Sequence, residues 1–446
     1  MLGHTKSMLR GIAVAAVLLG GSVHVAVADN PIIQTLYSTD PAPYVWNNTV
    51  WLFTGHDETG AKNYDMRDWR LYSSTDMVNW RDWGVMMSLK TFSWAKADAW
   101  AGQVIERDGK FYYYVPVTKN SGGYAIGIGV SDKITGPYKD ALGKQLLANG
   151  GIDPTVFIDD ADGQAYMYWG HSAPYYVKLN KDMLSYSGSL TSTSLQNFIE
   201  GPWLHKRNGT WYLTYSSMGS GGNEDIKYAT STKPTGPWTS KGTIMPSQGK
   251  SFTNHAGIID YKGGSYFFYH NGALPGGGTY SRSVCVEKFT YGTDGSIPKM
   301  TMTDAGAPQI EPLDPYTQPV EAETIAFSSG LTTAAKSDGT GIYVTSVSNG
   351  DYIKVKGVDF AAGASSVDLR VAAAASGGKI ELRVGSQTGT VIATCAVDAT
   401  GGAQTWKTVS CPVTGATGKQ DLFFKFSGSG YNFDWWQFKK QTAAAV

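Results

Sequence analysis

The sequence predicts an all-β protein, a five-bladed β-propeller followed by a jelly-roll β-sandwich, and three observations predict it. From Asp29 to about Pro298 helical periodicity is almost absent, and short aromatic or β-branched runs alternate with Gly, Asn and Asp turns. Within that stretch a related hairpin recurs: Pro43 to Phe53 around Asn47-Asn48, Gln103 to Val115 around Asp108-Gly109, Thr155 to Tyr168 around Asp162-Gly163, Trp203 to Tyr215 around Asn208-Gly209, and Gly257 to Tyr269 around Gly263-Gly264. Its turns return every roughly 45 to 60 residues, a spacing suited to four-stranded propeller blades, whereas a plain sandwich needs no such repeat. Third, Pro308, Pro312, Pro315 and Pro319 crowd residues 307–319, and beyond them short alternating strands such as Tyr352-Ile353-Lys354-Val355 read as a separate sandwich.

Taken in order, residues 1–28 have the layout of an export signal. Lys6 and Arg10 precede an apolar run from Gly11 to Gly20, and Ala26-Val27-Ala28 supplies small residues for cleavage. The run is too short to span a bilayer, so the mature chain is expected to begin at Asp29, to be secreted and extracellular, and to carry no membrane anchor. Residues 29–306 form the propeller, 307–319 a stiff linker, and 320–440 the sandwich. The chain of 446 residues is long enough for two cores. Basic and acidic residues balance at 37 each, which leaves no net field to attract nucleic acid. Aromatics at 13% and 54 glycines suit short strands, tight turns and flat apolar faces of the kind sugars bind. Cys395 and Cys411 lie in two β-like runs around a Gly-rich turn, a spacing that suits neighbouring strands and a disulfide contributing about 3 kcal/mol. Cys285, in an apolar run, reads as a buried core thiol.

The chemistry lies in acids placed just before the first strands of different blades, which a propeller brings together at its axis. Asp40 opens Asp40-Pro41-Ala42-Pro43, Asp153 opens Asp153-Pro154-Thr155, and Glu200 opens Glu200-Gly201-Pro202-Trp203. Hydrolysis of a glycosidic bond needs such a set, with one carboxyl protonated toward the leaving oxygen and one ionised toward water. With these three motifs in this order, the chain resembles glycoside hydrolase family 43 over Asp29 to Asp304. The resemblance implies a five-bladed propeller and inversion, with Asp40 as general base, Glu200 as general acid, and Asp153 as the neighbour that orients the acid and keeps its pKa high. It also implies that His255, in Thr253-Asn254-His255-Ala256, faces the pocket floor and contacts a cation, commonly calcium, and that Arg282 lies near substrate. Trp100 and Trp169 are candidate walls for a sugar ring, each with the ordinary alternative of core packing.

The second domain resembles carbohydrate-binding module family 6 over Val320 to Lys439, on Val320-Glu321-Ala322-Glu323, Asn349-Gly350-Asp351-Tyr352 and Asn432-Phe433-Asp434-Trp435. That resemblance implies a structural calcium on Glu321, Glu323 and Asp434, and a ligand contact from Asn432. Ala403 and Ser346 stand where aromatic platforms are usual, which points to a blunted cleft. Together the two domains imply an exo-acting α-L-arabinofuranosidase on arabinoxylan, with β-xylosidase activity as an addition. Arabinan or galactan hydrolysis on the same fold is one alternative, and a noncatalytic sugar-binding propeller is another, although a lectin has no use for a matched acid and base. No organic cofactor is expected, and a monomer is expected.

Overall fold

The structure, a computed structural model, describes residues 29–148, 151–219 and 221–441; the predicted export signal lies outside them. Five antiparallel sheets form the propeller. Blade 1 comprises Ser38–Trp46, Thr49–Asp57, Met66–Ser74 and Trp80–Ser88. In blade 2 the strands are Gln103–Arg107, Lys110–Lys119, Tyr124–Ser131 and the short Lys139–Asp140, and Ala95–Ala97 pairs with the end of the second. Blade 3 has Thr155–Ile158, Ala165–Trp169, Tyr175–Leu179 and Tyr186–Ser192. Phe198–Arg207, Thr210–Met218, Glu224–Ser231 and Thr239–Met245 make blade 4. The first strands touch one another in a closed ring. Among the described residues no helix is long and apolar enough to cross a membrane.

Turn chemistry explains the repeat. Both central residues have positive φ at Asn47-Asn48, Asp108-Gly109, Asn208-Gly209 and Lys262-Gly263, the backbone that a two-residue hairpin loop requires and that Asn, Asp and Gly tolerate. The last turn falls one residue earlier than the sequence suggested. Blade 5 also departs from the expected four strands, since among the described residues its sheet contains only Gly257–Tyr261, Gly264–Asn271 and Ser283–Phe289. The start of the described chain takes the vacant edge. Ile32 N donates to the Val284 carbonyl at 2.8 Å, Val286 N donates to Asn30 Oδ1 at 3.0 Å, and Ile32 and Ile33 bury against Phe268 and Val286. The two ends of the propeller segment thus close the ring on each other.

The sandwich has two sheets around a core that includes Val355, Leu369, Leu382, Phe424 and Trp436. Cys395 and Cys411 do form a disulfide, with Cα atoms 5.7 Å apart. They lie in Thr390–Val397 and Lys407–Pro412, which belong to different sheets, so the bridge joins the sheets rather than neighbouring strands.

Residues 307–319 form no strand, as four prolines dictate, yet they are no free tether. Ile310 N donates to Asp76 O of blade 1, while Leu313 exchanges backbone bonds with Gly357 and Asp359 of the sandwich. Beyond the linker, Thr324–Ile325 adds to the outer strand of blade 1 as a fifth strand. Around that seam Arg81 pairs with Glu321 at 3.1 Å, and Thr333 donates to Asp82 at 2.8 Å. Asn79 bonds the backbone of Lys356 in both directions.

Candidate active site

The first strands place one short stretch from every blade around the axis: Asp40-Pro41-Ala42, Ala101-Gly102-Gln103, Asp153-Pro154, Gly201-Pro202-Trp203 and His255-Ala256. Asp40, Ala101, Asp153, Gly201 and His255 therefore hold equivalent positions. Where a proline follows, at Asp40, Asp153 and Gly201, φ is +52°, +57° and +58°. A residue before proline is ordinarily extended, and positive φ is uncommon outside glycine, so surrounding bonds must impose this backbone. Glu200 comes one residue before its ring position, not at it as the motifs suggested. Gly201 occupies that place because a Cβ there would lie 2.8 Å from His255 Cδ2 and 3.0 Å from Ser216 Oγ. Gly201→Ala is expected to displace His255 and lower kcat about 100-fold. A variant with wild-type kcat would show that the floor tolerates the extra atom.

Above this ring opens a cavity of about 410 Å³ whose lining includes Asp40, Asp153, Glu200, His255, Arg282 and Trp100. His255 forms part of its floor. Its Nδ1 lies 3.2 Å from Asp40, and its Nε2 lies 3.2 Å from Glu200 and 3.8 Å from Asp153. Asp40 and Glu200 thus face opposite edges of one imidazole. The cavity mouth carries paired aromatics, Tyr64 with Tyr280 and Trp100 with Tyr124, and the exposed side chains of Phe252 and Met218.

Charge is unevenly held. Burial works against a charged His255, but the carboxylates of Asp40, Asp153 and Glu200 outweigh it and raise its pKa to about 10. Burial, with Glu200 and Asp40 nearby, pushes the Asp153 carboxyl well above its usual range despite His255. Burial would also raise Glu200, but its hydrogen bond to His255 and the charges of His255, His171 and Arg282 hold it below its ordinary value. The proton therefore rests on His255 and Asp153 rather than on Glu200, where the resemblance put it. The physical reason is that Glu200 has the closer contact with the imidazolium. Because the folded pKa of His255 is raised from 6.5, its contribution to stability is complete below about pH 6.5 and lost as pH rises through about 10. His255→Gln should flatten that alkaline decline in unfolding free energy; an equally steep decline in the variant would assign it to other groups.

Arg282 is buried and fully engaged. It clamps Asp57 through Nε at 2.9 Å and Nη2 at 2.8 Å, and its Nη1 donates to Asp40 Oδ1 at 3.3 Å and Thr253 Oγ1 at 3.2 Å. Sequence reasoning missed Asp57, and also Glu224, whose carboxyl lies in the pocket wall. Burial first, then the Glu200 charge, raises Glu224 to about 8, and its Oε2 accepts from Asn254 N at 3.0 Å. It missed His270 as well, which receives the Asp40 amide at 3.2 Å. Burial, with the charges of Arg282 and His255, holds His270 well below the ordinary histidine range.

Other candidates fall elsewhere. Trp100 lines the pocket, but Trp169 is fully buried, stacked on Tyr175 in the core between blades 2 and 3. Its strand is buried on both faces, so the ring faces core. Asn432 is spent within the sandwich: it donates to the Ala403 carbonyl at 2.6 Å and accepts from Thr345 at 2.7 Å. Glu321, Glu323 and Asp434 are not drawn into one coordination sphere. Lys336 Nζ lies 2.6 Å from Asp434, Arg81 takes Glu321, and burial pushes Glu323 well above its usual range. As arranged, an ammonium serves Asp434, while Glu323 Oε2 is buried without a hydrogen-bond partner and the Glu321 charge adds to the rise at Glu323. In the propeller, Asp153, Glu200 and His255 bring ligand atoms within 4.8 Å of one another, close enough to share a cation. As arranged, both His255 nitrogens face carboxylates, Nδ1 toward Asp40 and Nε2 toward Glu200.

Residues 28–297 match the family model described as Glycosyl hydrolases family 43, and residues 321–440 match Carbohydrate binding module (family 6). An arabinoxylan arabinofuranohydrolase of Bacillus subtilis (strain 168) is 34% identical, over 92% of this chain and 92% of its own. A xylosidase/arabinosidase of Bacteroides ovatus is 31% identical over 58% of this chain and 94% of its own. Among solved structures, a glycoside hydrolase family 43 arabinoxylan arabinofuranohydrolase from Bacillus subtilis in complex with cellotetraose superposes with a TM-score of 0.82. It is 32% identical, covering 94% of this chain and 99% of that one.

Proposed function

We propose that this chain, which belongs to glycosyl hydrolase family 43 and carries a family 6 carbohydrate binding module, removes α-L-arabinofuranosyl side units from arabinoxylan with inversion. The observation that carries the reading is the pair Asp40 and Glu200 on opposite edges of His255 at the floor of the pocket. The imidazole ring, with a 3.2 Å ion pair to Asp40 on one side and a 3.2 Å hydrogen bond to Glu200 on the other, separates their carboxyl groups, which leaves space for a water on one side of a bound sugar. Inverting hydrolysis needs that space, whereas a nucleophilic pair stands closer. Asp40, fixed by Arg282, takes the proton of the attacking water. Glu200 delivers a proton to the leaving oxygen, drawn from the cluster of His255 and Asp153 that holds it within reach. Asp153 accepts the Gly201 amide at 3.0 Å and so aims the segment carrying Glu200.

The choice of sugar rests on coverage. The arabinofuranohydrolase relative matches 92% of this chain and so reaches both domains, whereas the xylosidase/arabinosidase matches 58% of it. The aromatic pairs at the mouth offer platforms to a main chain while the pocket receives one branch. Hydrolysis of β-xylosides is the second reading, favoured by the same relative's double name. The predicted export signal and the disulfide support action outside the cell. Proton NMR of arabinoxylan digestion in its first minutes should show arabinose released as the β anomer. Early α-arabinose would make Asp40 a nucleophile and end this reading, and xylose as the main product would favour the second.

A further inference from the structure

We propose that His270 is a positioning residue for hydrolysis: an imidazole locked in one tautomer that holds the backbone of Asp40 in the conformation from which its carboxyl reaches the pocket. The inference rests on the role of Asp40 proposed above.

The hydrogen bonds assign the tautomer. The Asp40 amide can only donate, and it lies 3.2 Å from His270 Nδ1, so that nitrogen carries the lone pair. The proton is then on Nε2, which donates to the Thr253 carbonyl at 2.8 Å. The Thr39 hydroxyl donates to Asp40 Oδ1 at 3.0 Å and stands 3.2 Å from the same Nδ1, and Asp40 Oδ1 lies 3.5 Å from it, so the amide and carboxylate of Asp40 and the hydroxyl of Thr39 converge on this ring. Protonating Nδ1 would set two N–H groups against each other. Burial and the charges of Arg282 and His255 oppose that, although His255, with its ring centre 5.6 Å away, holds the opposite charge state.

The ring is itself fixed. It lies in Gly264–Asn271, fully buried, and its own amide donates to Asn254 Oδ1 at 3.2 Å, while Asn254 N is tied to Glu224. Blades 4 and 5 therefore set the place where the Asp40 amide must arrive. Asp40 needs such an anchor because it precedes proline with φ at +52°, a conformation it would not hold unaided. Deprived of its acceptor, the buried amide would be left unpaired and the turn would relax toward extended backbone, carrying the carboxyl off the path of the water.

Two amides separate this role from packing. His270→Asn places an acceptor where Nδ1 stands and gives up the bond to Thr253; His270→Gln keeps a donor near Nε2 and gives up the bond to Asp40. The expected result is that Gln lowers kcat about 100-fold with KM nearly unchanged, as for an angstrom-scale misplacement, while Asn keeps most of it. Azide supplies the second measurement, because it attacks the anomeric carbon without a base: the carbon–azide bond forms, the bond to the phenol oxygen breaks, and the sugar leaves as its inverted azide. With an activated aryl arabinofuranoside and azide, the Gln variant should divert product to the glycosyl azide while wild type releases free sugar. This ratio does not depend on how much variant folds. Equal kcat in the two variants, or no azide product from Gln, would overturn the proposal. Asp40→Ala is run beside them: if azide fails to rescue it, the base assignment itself has failed, and if azide rescues it alone, only the role of His270 has.

Discussion

Asp40→Asn is expected to abolish the reaction without disturbing the fold, lowering kcat about 10⁴-fold, the upper range for loss of a general base. Asparagine tolerates left-handed backbone and keeps an amide for His270, so the loss is of proton acceptance rather than of conformation. It should be equally deep on arabinoxylan and on an aryl arabinofuranoside with an activated phenol, because the water needs its base whatever leaves. Glu200→Gln, by contrast, should lose far more on the polymer, whose alkoxide leaves poorly without a proton, than on the phenol. Parallel assays on both substrates decide the roles. A leaving-group dependence in the Asp40 variant, or none in the Glu200 variant, would reverse or remove the two assignments.

The second large effect is on stability. Asp57→Ala would leave the Arg282 guanidinium, 3% exposed, with only the 3.3 Å contact to Asp40 as a countercharge. Breaking a buried pair from one side costs about 3–5 kcal/mol, because the remaining charge can neither rehydrate nor lose its proton. In a propeller of this size that corresponds to a fall in Tm of roughly 10 °C. Activity should fall as well, since the freed side chain no longer arrives at Asp40 from a fixed direction. Calorimetry on the folded variant tests the first statement, and a Tm within about 2 °C of wild type would refute it.

Asp57 shows why part of the site was legible in the sequence and part was not. Asp40, Asp153 and Glu200 could be found because each stands one or two residues ahead of a proline at the inner end of its blade, a local pattern repeated in blades 1, 3 and 4. Asp57 ends the second strand of blade 1 and His270 lies inside the second strand of blade 5. Nothing near either in sequence marks it, since their partners are more than 220 residues away, in Arg282 and Asp40. A buried strand surrounded by aromatics hides such residues in what reads as core. The same blindness misplaced Trp169: its strand is buried on both faces, so no alternation says which way the ring points. The blades were visible because Asn, Asp and Gly mark their hairpin turns, whereas the edge supplied by Asn30 to Ile33 and the added strand Thr324–Ile325 depend on pairings that no turn announces.

That added strand has a consequence for work on an insoluble polymer. A module on a slack leash would let its enzyme sweep a disc of substrate around each anchoring point, with the disc set by the leash. Here the sheet of blade 1 runs on into the second domain and the connector is bonded on both sides, so there is no leash and no disc. Contact of the sandwich with a fibre would instead print the pocket at one distance and one angle from the anchoring point. Simultaneous engagement then becomes a question of pitch: branches spaced to match that offset gain the full benefit of two-point attachment, and branches out of step with it gain none.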